Sequence, residues 1–269
     1  RVLAGLAHQR RPPDTLVVSP DNDSRAIAEV VAEHARGPAL LVQRPAAEQG
    51  RSGQTRNNGV RALLEHGGDP HAIVVFLDGD CVPAPDLLTQ YQRLCGRRRL
   101  ALGFRIDLTP AQTDEFDDAA LAEGREPVQP TAEQLELLRR RTARAKRQAL
   151  LRRSGLGKPH KPKLLSANFA VCLSDFVAVN GFDEEYQGYG QEDDDLGRRM
   201  YRAGCRPVIA ISMARVYHLY HPTRAPQDWH ASPNAARFLA DGPTRCVFGL
   251  DHPLPQERVI TTPIRPAAT

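Results

Sequence analysis

Short apolar runs alternate with longer stretches of helical period along the chain, the pattern of a layered α/β sheet. "DTLVVS" (Asp14–Ser19) and "PALLVQR" read as strands, and residues 24–35 between them place Ile27, Val30 and Val31 on one helical face. "GQTRNNGVRALLEHGG" starts as a Gly-rich loop, becomes a helix and closes at Gly67 and Gly68. "HAIVVFL" (His71–Leu77) is the strongest strand signal, a β-branched run suited to the middle of a parallel sheet, and it stops abruptly at "DGD". The chain opens inside a helical stretch, "RVLAGLAHQ", which predicts a strand ahead of it.

The pattern changes at residue 107. "DLTPAQTDEFDDAALAEGREPVQPT" is acidic and weakly apolar, and "AEQLELLRRRTARAKRQALLRRSGLGKPHKPK" is a helix dense in Arg and Lys. "LLSANFAVCLS" and "RPVIAISMARVYHLYHP" return to strand character, with "GYGQEDDDLGRRM" between them, and the Pro-rich tail past Pro222 reads as a surface wrap. The expected organisation is a first sheet half over 1–106, a helical insertion over 107–163, a second half over 164–222 and an extension over 223–269. In open α/β sheets ligands bind beyond the carboxyl ends of strands, where "DGD" stands.

Composition refines this picture only a little. At 41% hydrophobic and 25% charged, with a net charge of +4, the chain is an ordinary globular sequence whose charge is segregated along its length. Five scattered cysteines without a C-x-x-C pair argue against a disulfide framework or zinc site and for a reducing compartment. No apolar run is long enough to span a bilayer and no signal-peptide pattern is present, so the expected location is cytoplasmic, with a peripheral position on the inner membrane face open to it.

Three motifs carry chemistry. In "DGD", Asp78 and Asp80 can share a hard divalent cation while Gly79 lets a phosphate approach, or they can simply form a turn. An EF-hand is excluded, because its required Gly and Glu positions hold Pro83 and Thr89. His218 and His221 in "VYHLYHP" are either structural or ligands, and imidazole favours Mn²⁺ over Mg²⁺. Glu192, Asp193, Asp194 and Asp195 either suit the positive end of a helix or supply a general base with polar neighbours. Tyr186 and Tyr189 beside them are sugar-stacking or core aromatics.

"FLDGDCVP", then "NGFDEEYQGYGQEDDDLGRRMYRAG" and "VYHLYHP", in this order on an α/β sheet, resemble the GT-A family 2 glycosyltransferases, with a galactosyltransferase-type second half. The resemblance implies a Rossmann-like GT-A fold, a mixed but mainly parallel sheet flanked by helices, here with a basic helical insertion. It implies that 1–106 binds a nucleotide-sugar, with a UDP-sugar as the expected donor, and that 164–222 binds the acceptor and performs catalysis. It further implies that Asp80, with Asp78, holds the metal, with His218 as a further ligand and His221 as the alternative. Asp193 would be the catalytic base. Glu192, Asp194 and Tyr189 would hold the acceptor, and Asp21, Arg56 and Asn168 would lie on the donor side together with Asp78. Tyr189 and Gln191 depart from the galactosyltransferase pattern, so sugar choice does not carry over.

The expected activity is inverting, metal-dependent transfer of a sugar to a hydroxyl of a glycan or lipid-linked glycan, in cell-envelope polysaccharide synthesis. A metal-dependent nucleotidyltransferase and a non-catalytic nucleotide- or sugar-binding module are the competing classes. The basic run over 133–163 is either a solvated face or a contact for anionic membrane. Without interleaved aromatics it does not read as a nucleic-acid site.

Overall fold

The computed structural model describes residues 1–188, 190–222 and 234–265. They form two compact units that interleave in sequence, one from Arg1–Pro13, Ile73–Cys172 and Gly204–Thr223, the other from Asp14–Ala72, Leu173–Ala203 and Arg224–Thr269. The insertion over 107–163 falls wholly in the first unit, whereas 1–106 and 164–222 each contribute to both.

The first unit contains α1 (Val2–Ala7), β3 (Ile73–Leu77), β4 (Cys81–Pro83), α4 (Leu87–Leu94), β5 (Arg99–Leu102), β6 (Phe104–Asp107), α5 (Pro110–Asp114), α6 (Asp118–Ala122), α7 (Ala132–Arg153), β7 (Asn168–Cys172), β8 (Arg206–Ile209) and β9 (Arg215–His218). Its larger sheet has the order β3-β7-β5-β8 and its smaller one the order β4-β9-β6. The first is packed by Leu87, Tyr91, Leu100 and Phe169, none of them measurably exposed. Asn168 knits the strands from within. Its Oδ1 accepts from the Tyr91 hydroxyl at 2.6 Å, and its Nδ2 donates to the carbonyls of Phe104 and Ala214 at 2.9 and 2.8 Å. Gly103 makes this possible, since a Cβ there would lie 2.4 Å from the Tyr91 hydroxyl and 2.5 Å from the Asn168 amide.

The second unit contains β1 (Leu16–Val18), α2 (Arg25–His34), β2 (Ala39–Gln43), α3 (Ser52–Glu65), α8 (Leu173–Ala178), α9 (Glu192–Arg202), α10 (Ala235–Leu239) and β10 (Ile260–Arg265), with the sheet order β1-β2-β10. Val31 anchors α2, but Val30, expected on the same face, is 49% exposed.

The class is α/β as expected, but the sheets are mixed rather than mainly parallel. Three pairings are parallel (β1–β2, β5–β8, β6–β9) and four are antiparallel (β2–β10, β3–β7, β5–β7, β4–β9). "HAIVVFL" pairs antiparallel with β7, Leu77 opposite Asn168. It lies at the edge of that sheet, not the middle, and only Phe76 of it is buried, since an apolar β-branched run suits any pleated, half-buried surface whatever the direction of the neighbouring strand.

Two further expectations change. The "GQTRNNG" segment is helix, not loop: α3 starts at Ser52 and buries Gly53, Gln54, Thr55, Asn57, Asn58 and Gly59. Its polar face is buried because it is bonded, Asn57 Nδ2 giving to the Phe182 carbonyl at 2.8 Å and Asn57 Oδ1 receiving the Phe182 N–H at 2.9 Å. The tail is not only a wrap, since β10 pairs along β2 from Ile260 opposite Gln43 to Arg265 opposite Ala39. Pro263 obscures this strand in the sequence, and it is tolerated because β10 lies at the edge of its sheet.

Glu184 ties these pieces together. Its carboxylate, with no exposed surface, accepts from Gln54 Nε2 at 3.0 Å, Asn57 Nδ2 at 2.9 Å and the Leu254 N–H at 2.9 Å, and it pairs with Arg61 Nη2. Removing it strands a guanidinium and three donors away from water, so Glu184→Ala should destabilise the protein by about 3 kcal/mol, the low end for a broken buried pair because Arg61 keeps some access to solvent. Urea denaturation should show the loss as a lower midpoint at unchanged slope.

Candidate active site

The small β4-β9-β6 sheet builds one cluster. Asp80 directly precedes β4, Asp107 ends β6 and His218 ends β9, with His218 opposite Cys81 on one side and Asp107 on the other. The Leu219 N–H donates to the Asp80 carbonyl at 2.9 Å and the Leu108 N–H to the His218 carbonyl at 3.0 Å, which fixes the strand ends. His218 is 9% exposed. His221 returns three residues later and is exposed.

Asp80 Oδ2, His218 Nε2 and His221 Nε2 stand at the corners of a triangle with sides of 3.4, 3.2 and 3.2 Å. Three donor atoms this close together could serve as ligands to one divalent ion. The outer atoms are arranged to match. His218 Nδ1 donates to Asp107 Oδ1 at 2.9 Å and His221 Nδ1 to the Pro222 carbonyl at 3.1 Å, which turns both Nε2 atoms inward. The Cys81 thiol donates to Asp80 Oδ1 at 3.4 Å, leaving Oδ2 for the centre. The chemistry and spacing of this donor set fit a divalent metal, and imidazole nitrogen suits a transition metal. Asp78 is not among the side chains that converge here.

The electrostatics agree. The hydrogen bonds to Asp107 and then Asp80 hold the His218 imidazole protonated to about 9. Burial alone would raise Asp80, but its hydrogen bond to His218 and the charge on that ring outweigh burial and hold the carboxyl at about 2. Without metal, the His218 proton is the cation between two carboxylates.

Sequence reasoning missed Asp107. "FRID" shows only an acid at the end of a strand, and the parallel register that sets it opposite His218 is a tertiary fact.

A second cluster lies at the start of α9, in the other unit. Gly190 (φ +102°) and Gln191 (φ +68°) turn the chain into a helix whose first turn is Glu192, Asp193, Asp194 and Asp195. The four acids do different things. Asp195 is buried, accepting from Arg199 Nε at 2.7 Å and Arg198 Nη2 at 3.1 Å. Arg199 also donates to the carbonyls of Val179 and Gly181, each at 2.8 Å. Asp195 is thus the helix anchor, as its position one step further into the helix suggests. Glu192, Asp193 and Asp194 stay half-buried in the first turn of the helix. Ser52 Oγ donates to Glu192 Oε1 at 3.2 Å. Tyr186 is a core aromatic, 3% exposed beneath the Arg237 guanidinium. Tyr189 lies outside the described residues.

The remaining expected positions have defined surroundings. Asp21 accepts from Thr55 Oγ1 at 2.9 Å and the Arg51 N–H at 3.1 Å, and pairs with Arg44. Arg56, on α3 rather than in a loop, lies 5.6 Å from the centre of the Phe182 ring. Asn168 is fully buried, and its side chain is bonded within the first unit's core to Tyr91 of α4, Phe104 of β6 and Ala214 just before β9.

If Asp107 orients His218, Asp107→Ala should weaken Mn²⁺ binding by about tenfold, the low end for such partners because Asp107 is half-exposed. Electron paramagnetic titration of free Mn²⁺ would read this. Metal and proton compete for His218 Nε2, so Mn²⁺ binding below pH 9 should release a proton and tighten as pH rises towards 9. Calorimetry in two buffers of different ionisation enthalpy would count that proton.

Residues 157–222 match a protein-family model, the N-terminal domain of galactosyltransferase. That stretch contains the α9 acids and both histidines. The chain is similar to beta-1,4-galactosyltransferase 2 of Homo sapiens, 35% identical over 71 residues that cover 25% of this chain and 18% of the relative. It is 34% identical, over the same length and shares, to the proteins of that name from Cricetulus griseus and Mus musculus. The aligned part spans under a fifth of each of these relatives. Together the match and the similarity support a glycosyltransferase.

Proposed function

We propose that the chain is an inverting, metal-dependent glycosyltransferase of GT-A type, related to family 2, that moves a sugar from a nucleotide-sugar to a hydroxyl of a glycan or lipid-linked glycan. A UDP-sugar is the donor expected, and the proposed setting is cell-envelope polysaccharide synthesis in the cytoplasm. The observation that carries this reading is the convergence of Asp80 with His218 and His221, because the two histidines belong to the galactosyltransferase-like stretch and Asp80 does not. A ligand set assembled from separate parts of the chain is more than a shared sequence signature.

Asp80, His218 and His221 would hold the divalent ion, Mn²⁺ in preference to Mg²⁺ because two of the ligands are imidazoles. Bound there, it would offset the negative charge that develops on a departing nucleoside diphosphate. Asp78 belongs on the donor side of this centre. Asp193 takes the proton from the acceptor hydroxyl as that oxygen bonds to the anomeric carbon. The bond from that carbon to the diphosphate oxygen breaks at the opposite face, its electrons leave with the diphosphate, and one displacement inverts the configuration. Glu192, Asp194 and Tyr189 bind acceptor hydroxyls. Asp21 and Arg56 serve the donor nucleotide, and Asn168 serves the donor side through the strands it holds.

Asp193→Asn should lower transfer by about 10²–10⁴-fold while nucleotide affinity is retained, the range for loss of a general base. A normal rate would remove Asp193 from the mechanism. In a thermal-shift panel, UDP with Mn²⁺ should raise the midpoint and UDP with a chelator should not. At a hundredfold excess over Kd the gain is about 2.7 kcal/mol. A preference for nucleoside triphosphates would point instead to nucleotidyl transfer, and metal-dependent binding without turnover on any UDP-sugar would point to a binding module.

A further inference from the structure

Helix α7 carries a feature that sugar transfer does not use. One side of it is core: Leu138 and Ala145 are buried, and Arg141 lies flat over Phe104 at 4.1 Å. The other side is basic and apolar at once. From Leu137 to Lys163 there are eleven Arg and Lys, eight on the helix and three beyond it, and no Asp or Glu. Arg139 and Arg140 are paired with Glu136. Arg144, Lys146, Arg147, Arg153 and Lys158 are exposed and form no ion pair among the described residues.

Leucines stand exposed among these cations. Leu150 is 65% exposed, Leu151 39% and Leu156, just past the helix, 77%. At helical spacing Leu150 neighbours Lys146, Arg147 and Arg153, and Leu151 neighbours Arg147. Leu156 is held in place. Gly155 (φ +76°) turns the chain, the Leu156 N–H donates to the Leu151 carbonyl at 2.9 Å, and Arg152 ties down the following loop through the carbonyls of Lys161 at 2.8 Å and Lys158 at 3.0 Å. The result is a fixed apolar tip ringed by cations.

We propose that this tip, residues 144–158, docks on the surface of an anionic phospholipid bilayer, with Leu150, Leu151 and Leu156 entering the headgroup boundary and Arg144, Arg147, Arg153 and Lys158 meeting lipid phosphates. Charge complementarity selects an anionic surface. The leucines select a bilayer over a nucleic acid, because no Phe, Tyr or Trp lies between 137 and 163 to stack on bases and phosphates give buried leucine nothing. No helix among the described residues is long and apolar enough to cross a membrane, so the contact is interfacial. It stands independently of the transfer chemistry.

The test is co-sedimentation of the full chain with vesicles of phosphatidylcholine alone and of phosphatidylcholine with about one-third phosphatidylglycerol. Binding is expected only to the anionic vesicles, weakened by high salt because surface charges are screened. Leu150→Glu with Leu156→Glu should reduce it by about tenfold or more, at an unchanged melting temperature, since both side chains are exposed. Leu156→Ser alone should give a smaller loss in the same direction. Four outcomes overturn the proposal: no binding to anionic vesicles, binding undiminished in the leucine variants, tighter binding to a single-stranded RNA than to vesicles, or a dimer of the unaltered chain that the double substitution converts to monomer.

Discussion

The site depends on a histidine held between two carboxylates. His218 sits on the central strand of a three-stranded sheet, and that sheet exists because β9 pairs with β4 on one side and β6 on the other. Asp107 takes one ring N–H and Asp80 faces the other nitrogen, so the ring cannot turn without leaving a carboxylate unmatched in a half-buried place. What a metal site would need follows from this constraint: inward nitrogens, Asp80 Oδ2 facing them and an exposed second imidazole in His221. The proton on His218 supplies the charge that both carboxylates face.

The same economy governs the acidic helix start. Four like charges in one turn repel each other, and the structure relieves this by withdrawing Asp195 into an arginine pair. Buried Arg199 in turn satisfies two carbonyls of the preceding turn, so the helix is fixed at its base while Glu192, Asp193 and Asp194 remain at its start. Asp195 is structural, and its structural role positions its neighbours.

Buried polar groups do comparable work in α3 and around Glu184. Each is matched donor to acceptor by a residue distant in sequence, which is why polarity there marks interior and not surface. The tip of α7 is the opposite case, since Arg144, Lys146, Arg147 and Arg153 form no ion pair among the described residues and Leu150 and Leu151 are exposed.

How far the sequence alone reaches depends on the range of the interaction. Strands β2, β3 and β7, helices α2 and α7, the DGD strand end and the acidic helix start were legible because periodicity and local turn chemistry act within a few residues. The three motifs were legible as a set because their order along the chain carried the resemblance. Strand direction, the helical state of "GQTRNNG", the strand in the Pro-containing tail and the interleaving of two units were not, since each is decided by a partner tens or hundreds of residues away. The same holds within the site. The sequence determined that Asp80, His218 and His221 are the residue types a metal needs, and that four acids stand together at one helix start. Only the tertiary structure decided that Asp107 stands behind His218 while Asp78 stands apart, because hydrogen-bond register across a sheet has no trace in linear spacing.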